Sequence, residues 1–155
     1  MELWIATALG VIIAFVLSIP SIILETSRRV KNLPLLIDVH VWRGHKLNEG
    51  EVFALGMFIH LVIGGLYGFF YALFAENSWL VVTGSPYTLQ SMLIFAFLSW
   101  LVLNVVIFPI VQFGFFGSKE GKTVWYETLI SLILEGAILW VVIQSYQPFF
   151  FHIVS

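Results

Sequence analysis

The stretch Val52–Ala75, VFALGMFIHLVIGGLYGFFYALFA, contains no Asp, Glu, Lys or Arg. As a helix rising 1.5 Å per residue, it is long enough to cross the roughly 30 Å hydrocarbon core of a bilayer. Gly56, His60, Gly64 and Gly68 follow one another at intervals of four. That spacing puts them on one helix face, which Tyr67 and Tyr71 share. In hydrocarbon, helices meet through small residues and buried polar groups, so this is a packing face. The Gly64-x-x-x-Gly68 pair lets another backbone approach closely.

Three further runs have the same character. They cover about 3–24, 87–113 and 124–146, with the second span at 52–75. Between Glu76 and Lys119 there is no charged residue. Gly84-Ser85-Pro86 divides this stretch, with Ser85 as helix cap and Pro86 at the first helical position. Composition agrees. The chain has 155 residues, 60% hydrophobic and only 10% charged, with a mean hydropathy of +1.00, against about 25% charged in soluble domains. The expected fold is all-α: a single polytopic membrane domain (1–155) built as a four-transmembrane-helix bundle. The first run has no positive charge before it and no small-residue cleavage site after it, so it reads as a retained helix.

Every lysine and arginine lies in one of two connections. Arg28, Arg29, Lys31, Arg43 and Lys46 follow the first span; Lys119 and Lys122 follow the third. Cytoplasmic loops retain Lys and Arg. The expected placement is therefore the cytoplasmic (inner) membrane, with loops 26–50 and 114–123 cytoplasmic and both termini outside. Trp4, Trp79 and Tyr87 would mark the outer interface, Trp42 and Trp125 the inner one. Within the long first loop, Pro34–Trp42 is too apolar to be freely solvated and reads as a segment lying on the inner leaflet. Spans one and three each carry a proline toward this side, Pro20 and Pro109, where a bend is expected.

Glu135 needs an explanation. It falls in the middle of the fourth span, after Leu132-Ile133-Leu134. A carboxylate at that depth costs about 3 kcal/mol to insert even on the mild scale, and such groups face the bundle interior or find a partner. Counted from the inner span ends, His60, Asn104 and Glu135 lie about 13, 15 and 17 Å deep. One buried cluster from three helices is the expectation, with Glu127 and Ser131 as steps toward it from the inner surface. Two readings are open. One is a proton-responsive or cation-binding site, since an imidazole and a carboxyl both exchange protons. The other is a closed polar knot that fixes helix register.

Other constellations carry less. Asp38, His40 and His45 are of types that suit a metal, but at no familiar spacing. With no cysteine, thiolate sites and disulfides are excluded. Gly117–Thr123 has one residue too few between its glycines for a phosphate-binding loop and reads as a tight turn, with Thr123 starting the last helix. No second histidine lies at the depth of His60 to bind a haem, and no hydrolase or metalloprotease motif occurs. No cofactor, catalytic residue or nucleic-acid partner is expected.

His60-x-x-x-Gly64-Gly65-x-Tyr67-Gly68, then Trp100, Asn104, Pro109 and Phe115-Phe116-Gly117, resemble small four-helix bacterial inner-membrane proteins of unknown function, a group that includes an acid-resistance-linked protein. The resemblance covers roughly residues 56–142 and implies the four-span architecture. Members often carry a histidine in the last helix, where this chain has Glu135.

The functional expectation is a small membrane protein, a proton- or cation-responsive channel or transporter using Glu135, His60, Asn104, Ser131 and Tyr67. It would pack through Gly56, Gly64 and Gly68 into a homo-oligomer or against a membrane partner. The alternatives are a structural or accessory protein, and a binder of lipid or another hydrophobic ligand with Tyr67 and Tyr71 lining a groove.

Overall fold

A computed structural model describes residues 2–26, 39–42, 44–79 and 88–150, with the backbone alone for 2, 21, 24–26 and 146–150. Outside the described residues lie Asp38, Arg28, Arg29, Lys31, Arg43, most of the apolar loop segment, and Ser85, Pro86 and Tyr87.

The protein is an all-α four-helix bundle. Its helices are α1 (Glu2–Thr26), α2 (Glu49–Glu76), α3 (Leu89–Ile110) and α4 (Val124–Phe150). All four are long and apolar enough to span a membrane. Most of each helix's surface points away from its neighbours and is apolar, as bilayer-facing surface must be.

The helix ends differ from the sequence expectation by a few residues, and each difference has a local cause. α2 begins at Glu49 because Asn48 and Glu51 form a reciprocal capping box. Asn48 Oδ1 accepts from the Glu51 N–H at 3.0 Å, and Glu51 Oε2 accepts from the Asn48 N–H at 2.8 Å. α3 is capped by Thr88, whose Oγ1 accepts the Ser91 N–H at 3.1 Å. Thr88 is thus the cap of the described helix, and the expected cap, Ser85, lies outside the described residues. α3 ends at Ile110, short of Phe113. Gln112 and Gly114 have φ of 71° and 77°, a left-handed conformation that stops the helix. The two prolines act differently. α1 stays α-helical through Pro20 to Thr26, whereas α3 takes a π-helical turn over Leu103–Ile107, just before Pro109.

The bundle is built from two close pairs. α1 runs antiparallel to α2 with almost no side chain between them. A Cβ on Gly10 would strike the Gly64 carbonyl oxygen, and one on Gly68 would strike that of Ala6. α3 and α4 form the other antiparallel pair. Large rings separate the pairs. Phe95 of α3 packs against Tyr67, Tyr71 and Phe74 of α2 with centroids 5.1, 5.4 and 5.6 Å away.

On the side that carries the lysines, the first connection forms a small hairpin, β1 (Val41–Trp42) with β2 (His45–Lys46), paired Val41 to Lys46 and Trp42 to His45. Gly44 at φ 84° permits the two-residue turn. The hairpin docks on the loop after α3. The His40 N–H donates to Glu120 Oε2 at 3.0 Å, Trp42 packs edge-on to Phe113, and Val39 is buried. The described part of the connection is thus a hairpin folded against the loop after α3. α4 begins where expected, with the Thr123 carbonyl accepting from the N–H groups of Tyr126 and Glu127.

Candidate functional site

The α1–α2 contact sets the position of the central carboxyl. Ala6, Gly10 and Ala14 recur every four residues along α1 and meet Gly64 and Gly68 of α2. Small residues on both sides leave room at this seam for one long side chain from a third helix, and Glu135 of α4 fills it. Its side chain is 1% exposed. Its Oε1 lies against Gly64, where a Cβ would come within 2.8 Å of it and within 2.8 Å of the Gly10 carbonyl oxygen. The carboxyl oxygen and the carbonyl oxygen therefore converge on the same point of α2. Glu135 Oε1 is buried and has no hydrogen-bond partner among the described residues.

His60 is buried one turn before Gly64. Its Nε2 donates to the Ala14 carbonyl oxygen at 3.0 Å, so its hydrogen bond goes to α1. Tyr67 lies on the other side of the carboxyl. Its hydroxyl donates to Met92 Sδ at 3.3 Å and sits over Gly136, where a Cβ would come within 2.5 Å of it. A thioether is a weak acceptor. Tyr67 and Tyr71 are both buried among rings, so at this level the space between α2 and α3 is filled.

Asn104 belongs to a separate polar seam between α3 and α4. Its Nδ2 donates to the Trp100 carbonyl at 2.9 Å and to Thr128 Oγ1 at 3.3 Å. Thr128 donates in turn to the Trp125 carbonyl at 3.0 Å, which also accepts the Trp100 indole N–H at 2.7 Å. Asn104 is fully buried, and its Oδ1 has no partner among the described residues. The π turn adds to this. The Phe108 N–H bonds the Leu103 carbonyl, five residues back. In that register the Asn104 carbonyl looks to residue 109, a proline with no N–H.

The three residues expected in one cluster thus occupy successive levels. Asn104 meets Thr128, which is two turns and about 10 Å before Glu135 along α4. His60 lies one turn, about 6 Å, to the same side of Gly64. No hydrogen bond joins any two of the three among those described. The single level came from counting inward from span ends, and those ends shift at Glu49 and Ile110. Ser131 is buried between the levels, and Thr128, Ser131 and Glu135 recur at helical spacing on the inward face of α4. Gly64 and Gly68 lie at the α1 contact, and Gly56 is buried on the same helix. Sequence reasoning passed over Gly10, Ala6, Met92 and Gly136. The four-residue spacing of Ala6, Gly10 and Ala14 was the available signal for the first two.

His40 and His45 lie on the hairpin and are exposed. Among the described residues no three His, Asp or Glu side chains are grouped to hold a metal.

Fold and site together define a four-span helical membrane protein with a buried carboxyl at the junction of three helices. No family model, curated protein or solved structure matches the chain.

Proposed function

We propose that this membrane protein is proton-responsive, a small channel or transporter in which Glu135 binds and releases the proton. The carrying observation is the carboxyl oxygen buried at the α1–α2 glycine contact with no partner among the described residues. A protonated Glu135 has a hydroxyl to donate toward acceptors such as the Gly10 carbonyl. An ionised one places a charge among acceptors, which hydrocarbon surroundings penalise heavily. Proton exchange therefore changes how α1, α2 and α4 fit together. Ser131 and Thr128 supply polar steps from Glu135 toward the lysine-bearing side, the side that the charge bias of the loops favours for the cytoplasm.

The test is proton flux into liposomes holding the purified protein, with wild type compared with Glu135→Gln. Flux that depends on pH in the wild type and is lost in the variant is expected. Equal flux in both, or none in either, overturns the reading.

One observation favours a second reading, a structural or accessory membrane protein. Glu135 is 1% exposed and closely packed by Gly64 and its neighbours. On this reading Glu135→Gln alters self-association or partner retention, measured by cross-linking in membranes, and leaves flux unchanged.

A further inference from the structure

The docked hairpin leaves a cavity of about 610 Å³ between itself and the loop after α3. Small-molecule sites run roughly 300–1,000 Å³ and combine apolar walls with a few placed polar groups. This one has both. Its apolar wall is Val41, Ile110 and Val111; its polar wall includes Gln112, Lys119 and Glu120. We propose that this cavity binds the headgroup of a membrane glycerophospholipid that carries both a phosphate and a primary ammonium.

Three observations support the assignment. The first is location. Ile110 is the last residue of a spanning helix and is 71% exposed, so the cavity opens where headgroup meets acyl chain. The second is charge. The Lys119 ammonium is a partner for a phosphate, and the Glu120 carboxylate is a partner for an ammonium. Glu120 is held in place by the backbone of the opposite wall, since its Oε2 accepts the His40 N–H at 3.0 Å. The two signs side by side suit a zwitterion better than a simple anion. The third is rigidity. Gln112, on the cavity wall, keeps φ at 71° although it is not glycine. The neighbouring Phe113 N–H bonds the Phe108 carbonyl at 2.8 Å, and the Lys119 N–H bonds the Phe113 carbonyl at 3.1 Å. Backbone strain that is held by its surroundings in this way collects at ligand clamps.

The experiment equilibrates the full chain in detergent with equal amounts of phosphatidylethanolamine, phosphatidylglycerol and phosphatidylcholine, then counts retained lipids by native mass spectrometry. Wild type is expected to retain the ethanolamine lipid several-fold over the other two, because only its ammonium keeps N–H donors. Glu120→Gln is expected to abolish that preference, and Lys119→Gln to lower retention of all three lipids alike, since each carries the phosphate that Lys119 would hold. Glu120→Gln keeps an oxygen for the His40 N–H, and Lys119 is exposed, so circular dichroism should show both folded. Soluble phosphoethanolamine tests the source of the headgroup, and it is expected not to displace the lipid at equal concentration. Equal retention of the three lipids, unchanged preference in Glu120→Gln, unchanged retention in Lys119→Gln, or displacement by soluble phosphoethanolamine overturns the proposal.

Discussion

Glu135 Oε1 and Gly64 are packed so closely that a single added carbon on Gly64 would lie 2.8 Å from the carboxyl oxygen. The same carbon would lie 2.5 Å from Ala14 Cβ and 2.8 Å from the Gly10 carbonyl. Three helices therefore share the space freed by one missing side chain. Gly64→Ala must push α1 away from α2 or displace Glu135. Overpacking of this kind costs about 1–3 kcal/mol, and thermal unfolding in detergent should register it. Gly50 of the same helix is the control. Among the described residues only Asn48 Oδ1, at 3.5 Å, lies near its missing Cβ, so Gly50→Ala should be neutral or slightly stabilising.

Glu135→Gln separates charge from shape at the same place. The amide is nearly isosteric, is always neutral, and brings N–H donors to a position that faces acceptors. It should unfold at or above the wild-type temperature. Glu135→Lys, longer and cationic in the same close packing, should lose about 3 kcal/mol or more. A Glu135→Gln protein much less stable than wild type would mean that the ionised carboxylate is satisfied by something other than the neighbours described.

The contrast between these positions explains what the sequence reveals and what it conceals. Four spans are legible because hydropathy over a spanning length depends on composition alone, and the Gly64-x-x-x-Gly68 face shows in its spacing. Glu135 stands out because a carboxyl among Leu132, Ile133 and Leu134 is costly wherever its helix packs. Its surroundings are not legible. Whether His60, Asn104 and Glu135 share a level depends on the offset between helices, and packing sets that offset. The Asn48–Glu51 capping box was available to shift the α2 boundary. The π turn before Pro109 was not, since a proline at that distance from a helix end is compatible with a bend, a break or a widened turn. The hairpin of the first loop left one trace, Gly44 between Trp42-Arg43 and His45.

The Asn104 seam should respond asymmetrically to truncation. Asn104→Ala removes the bonds to the Trp100 carbonyl and to Thr128 together. Bonds to a buried amide are worth about 1 kcal/mol each, and partners left unsatisfied add to the loss. Thr128→Val also breaks two bonds, that from Asn104 and its own to the Trp125 carbonyl. Asn104 Nδ2 keeps the Trp100 carbonyl, however, and the Trp125 carbonyl keeps the Trp100 indole, so it should cost less than Asn104→Ala. The double variant should lose less than the sum of the two, since the residues act through a shared contact. Unfolding of all three variants in one detergent would measure the coupling, and strict additivity would mean that the seam is not cooperative.

A last pair of substitutions tests the far side of the carboxyl. Gly136 has no side chain where the Tyr67 hydroxyl sits, and a Cβ there would lie 2.5 Å from that oxygen and 3.1 Å from Met92 Sδ. Gly136→Ala should therefore destabilise by about 1–3 kcal/mol through overpacking, despite the better helix propensity of alanine. Tyr67→Phe alone should cost little, because the hydroxyl gives up only a thioether acceptor. The phenylalanine ring, however, lacks the oxygen that the added methyl group would strike. Met92 is unbranched and flexible and can move aside. Tyr67→Phe should thus recover most of the Gly136→Ala loss, a rescue that only direct contact between these two positions produces. If Gly136→Ala is equally damaging whether position 67 holds tyrosine or phenylalanine, the hydroxyl is not what occupies the space above Gly136.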